Sequence, residues 1–221
     1  MATIVAQSLI DRAATILQDT TNTRWPSNEL LDWLNDGQRD VVIYKPDATA
    51  KVEPVQLAAG TQQAIPTEGL SLLDVIRNVA ADGSPGRAVK VTQRQQLDDT
   101  LPDWHAQAQG ASVQLFVFDE RNPKGFWVYP PSDGSGKVDV LYSAAPADVT
   151  LAETLSVDDV YANALLDYVL YRAYMKDADY AANDQRATAQ YQRFMRALGV
   201  RDNTESKNNP YVRKTSPVVG G

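Results

Sequence analysis

The sequence predicts an α+β fold: a four-helix body of two N-terminal and two C-terminal helices, an inserted mainly antiparallel β module, and an extended C-terminal tail. Three observations predict it. Apolar residues recur at helical spacing near both ends of the 221-residue chain. Between Ala48 and Ala145 that spacing gives way to short runs rich in β-branched and aromatic residues, separated by turn clusters. From Arg201 to Gly221 no period survives, and two prolines and two terminal glycines stand there. The expected organisation is a helical body from residues 1–47 and 146–200, a β-rich insertion at 48–145, and a tail at 201–221 that is extended or flexible.

The first helix is expected over Ile4–Leu17, where Ile4, Val5, Leu9, Ile10, Ala13, Ile16 and Leu17 follow one face and Thr3 offers a cap. A polar DTTNT loop leads into RWPSNELLDWLNDGQRDVVIYKP. There Ser27 is placed to cap the second helix, Glu29 sits at its positive end, and Trp25 can fold back on Leu31. Leu30, Leu31, Leu34, Val41 and Val42 mark the buried stripe, with Trp33 on its flank. Gly37 costs that helix about 1 kcal/mol against alanine, which predicts a close backbone neighbour, the first helix. Pro46 ends the run.

In the middle, Lys51–Leu57 and Gln62–Ile65 read as short strands, and Pro54 confines the first to a sheet edge. Leu72–Ala80 and Arg87–Thr92 flank ADGSPG as a hairpin, and Thr92 is placed to cap a short helix running through Leu97. Ser112–Phe118 and Gly125–Tyr129 are joined by DERNPK, and Lys137–Ala144 follows PPSDGSG. Short strands linked by such turns predict antiparallel pairing.

Helix returns at SVDD, a variant capping box from Ser156 with Asp159 in the acidic place. Val160, Ala164, Leu165, Tyr168, Tyr171, Tyr174 and Met175 follow at helical spacing. After a polar break at 176–179, a last helix is expected from Tyr180 to Leu198, with Tyr180, Ala187, Tyr191, Phe194, Met195 and Leu198 inward and Gly199 as its stop. The earlier of these helices is apolar over a wide arc. Such a helix lies deep in a core or meets another subunit, which makes Tyr168, Tyr171 and Tyr174 candidate subunit-interface residues.

The chemistry on offer is sparse. The absence of cysteine excludes disulfides, thiol catalysis and thiolate metal sites. No apolar run approaches a bilayer's thickness, and MATIVAQSLIDRAATILQD lacks the basic-then-apolar pattern of a secretory signal. His105 is the single histidine, with no obvious catalytic or metal partner, and is read as structural. DGSG at 133–136 is followed by Lys137 where a calcium loop needs oxygen, so it reads as a turn. ADGSPG lacks the lysine and hydroxyl of a phosphate-cradling loop. No catalytic residue, metal or cofactor is expected, and the chain is read as not an enzyme. Trp104, Phe116, Phe118, Trp127 and Tyr129 are the core of the β module on one reading. On the other, Trp104, Trp127 and Tyr129 form a stacking surface, and the function is a carbohydrate- or ligand-binding β module on a helical stalk.

Net charge is −7, so gross attraction to nucleic acid is not expected. Arg201, Lys207, Arg213 and Lys214 outnumber Asp202 and Glu205 by two, which leaves −9 on the rest of the chain.

RWPSNELLDWLNDGQRDVV carries Arg24, Trp25, Glu29, Leu30, Leu31, Trp33, Leu34, Asn35, Asp36, Gly37 and Gln38. Together with DDVYANALLDYVLYRAYMKDADYAAN and the later RFMRALG, it resembles the head–tail connector adaptor proteins of tailed phages, including the tail-tubular type of short-tailed phages. The resemblance implies a non-enzymatic virion protein at the head–tail junction, held in the host cytoplasm before assembly. It implies a ring of copies, commonly twelve, placed below the portal, extending the DNA channel and presenting a platform to the tail tube or nozzle protein. Double-stranded DNA would pass without specific contact, and no membrane is involved. A C-terminal segment reaching the portal is also implied, and is carried onto Tyr211, Val212, Arg213 and Lys214.

Overall fold

The structure, a computed structural model, describes residues 2–177 and 181–208. Its helices are α1 (Ala6–Leu17), α2 (Ser27–Tyr44), α3 (Arg94–Thr100), α4 (Ala162–Lys176) and α5 (Ala181–Asn208). Its strands are β1 (Ala50–Gln56), β2 (Gly60–Ala64), β3 (Gly69–Val79), β4 (Pro85–Ala88), β5 (Lys90–Val91), β6 (Leu115–Phe118), β7 (Gly125–Ser132) and β8 (Lys137–Ala144). The chain divides into two compact units, Met1–Tyr44 with Ala147–Gly221, and Lys45–Pro146. Among the described residues no helix is long and apolar enough to cross a membrane.

In the helical unit α4 is central, packing most extensively on α5 and also on α2 and α1. That position explains its wide apolar arc. Ala162, Leu165, Leu166, Tyr168, Val169 and Ala173 are all buried because neighbours stand on several sides. A helix with one buried stripe would expose half of them.

Local capping signals fare worse than periodicity. α1 starts at Ala6, not Ile4, because Val5 is extended and bridges Thr154. Thr3 does not cap it. Its amide (2.8 Å) and hydroxyl (2.5 Å) donate to Asp159, as does the Ile4 amide at 3.0 Å. Asp159 is thereby spent, and the capping box from Ser156 does not form. Asp158 caps instead, accepting from the Val160 amide at the head of a 3-10 turn that precedes α4. The neighbour that Gly37 anticipates is also different. A Cβ there would stand 2.9 Å from Cδ1 of Tyr168 and 3.3 Å from Leu165, so the close approach comes from α4 side chains, not the α1 backbone. Gly199 does not stop the last helix, which runs on to Asn208, so the expected tail begins as helix. A glycine's cost of about 1 kcal/mol does not end a helix already anchored by buried Phe194 and Leu198. Tyr180 and residues 209–221 lie outside the described residues.

The β unit has two four-stranded sheets, ordered β1-β8-β3-β4 and β2-β7-β6-β5. Pairing is antiparallel except between β5 and β6. Leu57, Val75, Phe116, Phe126, Val140 and Tyr142 belong to its main core. Pro54 sits on the edge strand β1, where a missing N–H costs no ladder bond. The β3–β4 hairpin turns at ADGSPG as expected. The second strand then splits at buried Val89: β4 stays in the first sheet while β5 crosses to the second. Thr92 does not cap α3; its hydroxyl donates to Gln96 Oε1 at 3.1 Å. Residues 112–114 are not strand. Val113 is instead held by the Asn78 amide, which accepts its N–H and donates to its carbonyl, both at 2.8 Å.

Candidate functional site

The two stretches that carry the sequence resemblance are partners in space. Trp25 is buried, and its indole N–H donates to the Ala173 carbonyl at 3.1 Å. Arg24 pairs with Asp177, and Glu29 with Lys176. Asn183, in the first turn of α5, donates to the Asp177 carboxylate at 2.9 Å. Arg24, Trp25, Asp177 and Asn183, with Tyr174 and Arg186, line a cleft of about 390 Å³. The ion pairs are largely exposed and contribute about 0–1 kcal/mol each, so Trp25 dominates the junction.

Asp19 sets up that junction by accepting the amides of Thr23, Arg24 and Trp25 at 2.8–3.0 Å. These bonds, the one from Trp25 foremost, hold its carboxyl below the ordinary 3.8. A depressed carboxyl stabilises the fold above its unfolded pKa and loses that contribution as pH falls through the folded value. Wild type is therefore expected to melt above Asp19→Asn at pH 6, with the gap closing below about pH 4. Thermal melts from pH 6 to 2.5 check this, and a gap that widens on acidification would contradict it.

Asn35 and Gln38 form a second junction. The Asn35 side chain donates to the Val149 carbonyl (3.2 Å) and accepts the Val149 amide (3.0 Å). Gln38 donates to Asn35 at 3.1 Å and accepts the Ser156 amide at 2.6 Å. The Asn-Asp-Gly-Gln run thus fastens residues 149–156 to α2, while Gly37 admits Tyr168 of α4. Sequence reasoning missed this role. Its signal was there: two amide side chains three residues apart on the side that also buries Leu34, Val41 and Val42.

The expected interface tyrosines separate. Tyr168 is buried, edge-on to Phe194 with ring centroids 5.2 Å apart. Tyr171 and Tyr174 are half-buried. Tyr171 stands 5.0 Å from the Tyr191 ring, and Arg186 lies over Tyr174 at 5.8 Å. A hydrogen bond with Tyr44, then burial, pushes the Tyr191 hydroxyl up to about 12. Tyr211, Val212, Arg213 and Lys214 lie outside the described residues.

The three aromatics of the stacking reading separate, Trp104 being buried while Trp127 and Tyr129 are half-buried. Trp104 is buried with Leu97 and Val117, its N–H donating to Asp98 at 2.8 Å, and Trp127 and Tyr129 pack against that cluster. Phe116 is in the main core with Phe118 against it. His105 stacks on Trp104 at 3.6 Å and shares a 2.8 Å hydrogen bond with Thr61. Asp133 is occupied by its own turn, accepting the Ser135 amide and hydroxyl.

Set against known proteins, the chain has no significant match among curated sequences. A family model does match, the SU10 adaptor protein, over residues 6–215. That span takes in both helical stretches, the junctions they form and the whole β unit. The chain belongs to the SU10 adaptor protein family, in agreement with its resemblance to phage head–tail adaptors.

Proposed function

We propose that the chain is a structural virion protein that forms an adaptor ring between the portal and the tail tube or nozzle, extending the DNA channel. The family match over residues 6–215 carries this reading. The helical unit supports it: its motif residues serve packing and fastening rather than chemistry, as a scaffold requires. A net charge of −7 suits a wall along which DNA slides without the lysine and arginine contacts that create tight binding. The half-exposed Tyr171 and Tyr174, backed by buried Tyr168, face neighbouring copies in a ring of twelve. The protein waits in the host cytoplasm and joins the head–tail junction through Tyr211, Val212, Arg213 and Lys214.

Mass measurement of the protein alone and mixed with its portal tests the ring. The expected result is a single copy alone, and a complex with portal that carries a further ring in negative-stain images. A portal that gains no mass would end the reading. Deleting residues 209–221 is expected to leave the melting curve unchanged and abolish attachment to the portal. Retained attachment in a pull-down would overturn the tail assignment alone.

A further inference from the structure

Strand β3 carries a regular irregularity. Against β8 its register slips three times, and the residues passed over are Leu70, Leu73 and Ile76. Burial follows the same period of three, with Gly69, Leu72, Val75 and Asn78 inward. A bulged residue and its successor share one partner and one side of the sheet. Here those partners are Ser143, Leu141 and Asp139. They alternate with the core residues Val138, Val140 and Tyr142, so they lie on the outer face, where Ser143 and Asp139 are themselves buried and Leu141 half-buried. Leu70, Leu73 and Ile76 therefore project outward too. β1 adds Val52, directly across from Leu141. An apolar row, Val52–Leu141–Leu73, crosses three strands with Leu70 and Ile76 beside it. Val52 is 53% exposed and the three bulged residues are 37–38% exposed.

Three bulges disrupt the ladder repeatedly, and the side chains they re-aim are left exposed. Folding alone does not account for them, whereas a covered outer face would. The charges around the row cancel. Asp74 and Asp139 stand against Arg77 and Lys137, with Arg77 bonded to Asp139 at 2.7 Å. A neutral apolar face offers nothing to a phosphate backbone or an anionic membrane. On a chain of net charge −7, it is a place where a second acidic copy can approach without meeting like charge. Three strands about 4.8 Å apart and a rise of about 20 Å give a patch of roughly 300 Å², far below the ~800 Å² per partner of a stable pair. A contact of that size holds when it is repeated around a closed ring.

We infer that the outer face of the β1-β8-β3 sheet is the seat of a neighbouring copy of this chain. The inference rests on the ring reading above. Two measurements on the complex with portal test it. With p-benzoylphenylalanine in place of Val52 and a mixture of ¹⁵N-labelled and unlabelled copies, irradiation is expected to crosslink one copy to another. Crosslinks only to the portal or a tail protein, or none in a complex of full mass, overturn it. Leu73→Asp is expected to keep the wild-type melting temperature and to lower assembly at least tenfold. Full assembly of Leu73→Asp overturns the inference and leaves the ring standing. Failure of the wild-type control to assemble removes the ring reading itself, and this proposal with it.

Discussion

Trp25→Ala is expected to destabilise the helical unit by about 3–5 kcal/mol, the range for removing a buried aromatic side chain. Two losses combine. The cavity is one, since Trp25 is only 7% exposed. The other is a carbonyl without a partner. Ala173 is among the last four residues of α4, whose carbonyls have no N–H further along the helix to accept from. The Trp25 indole fills that vacancy at 3.1 Å, and Ala173 is fully buried. Trp25→Phe keeps most of the volume but leaves the carbonyl unsatisfied, an expected cost of about 1–3 kcal/mol. Glu29→Ala, which breaks an exposed ion pair, should cost less than about 1 kcal/mol, and Arg24→Ala, which also removes a cation 5.3 Å over the Trp25 ring, about 1 kcal/mol. Denaturant unfolding followed at 222 nm orders the four variants. A Trp25→Ala loss within that of Arg24→Ala would show that the indole does not hold α2 to α4.

The residues of that junction were legible in the sequence; their pairing was not. Arg24, Trp25 and Glu29 lie about 150 residues from Ala173, Lys176 and Asp177, and no local pattern links them. What the sequence does carry is periodicity. The stripes of α1, α2, α4 and α5 follow from the 3.6-residue repeat, and Pro54 marks an edge strand because proline cannot donate to a ladder. Capping is the counterexample. Thr3, Thr92 and Ser156 each stand where a cap belongs, and each bonds elsewhere: to Asp159, to Gln96, and to Ala147 and Gln38. A short polar side chain takes whichever partner the tertiary structure brings within reach, and local sequence cannot rank a partner that arrives from far along the chain.

The candidate surfaces divide by the same rule. The wide arc of α4 was visible, but whether a neighbouring helix or a neighbouring copy covers it depends on where α5 lies, and α5 takes Tyr168 while leaving Tyr171 and Tyr174 half-open. The bulges of β3 were hidden for a related reason. GLSLLDVIRNV shows neither clean alternation nor a helical stripe, because its period of three arises from slippage against β8 rather than from the strand alone. The Asn35–Gln38 junction shows the reverse case. A buried amide pair is energetically costly unless satisfied, so its presence on an apolar stripe already announces a backbone segment that must come to meet it.

Gly136→Ala is expected to cost on the order of 4 kcal/mol, at the upper end for a single added methyl group. An ideal Cβ there lies 2.0 Å from the Ala111 carbonyl oxygen and 2.9 Å from its carbon, so the obstacle is backbone, which cannot swing aside. Nor can the strap around Ala111 retreat cheaply. Gly110 donates to Pro131 and accepts from Asp133, Gln114 donates to Tyr129, and Val113 is held on both sides by Asn78. Gly136 itself accepts the Leu57 amide at 2.9 Å, so moving it opens the other side of the unit. Gly134, two residues earlier, makes the comparison. Its φ of +90° disfavours other residues, yet the nearest atom to a Cβ is 3.6 Å away. Gly134→Asn should therefore cost only about 1 kcal/mol, since asparagine tolerates positive φ better than most. Melting of the β unit is expected to fall by at least about 16 °C for Gly136→Ala and by no more than about 8 °C for Gly134→Asn. If the two fall equally, backbone conformation and not the Ala111 contact governs this turn, and the strap at 110–114 does not press on it as the geometry requires.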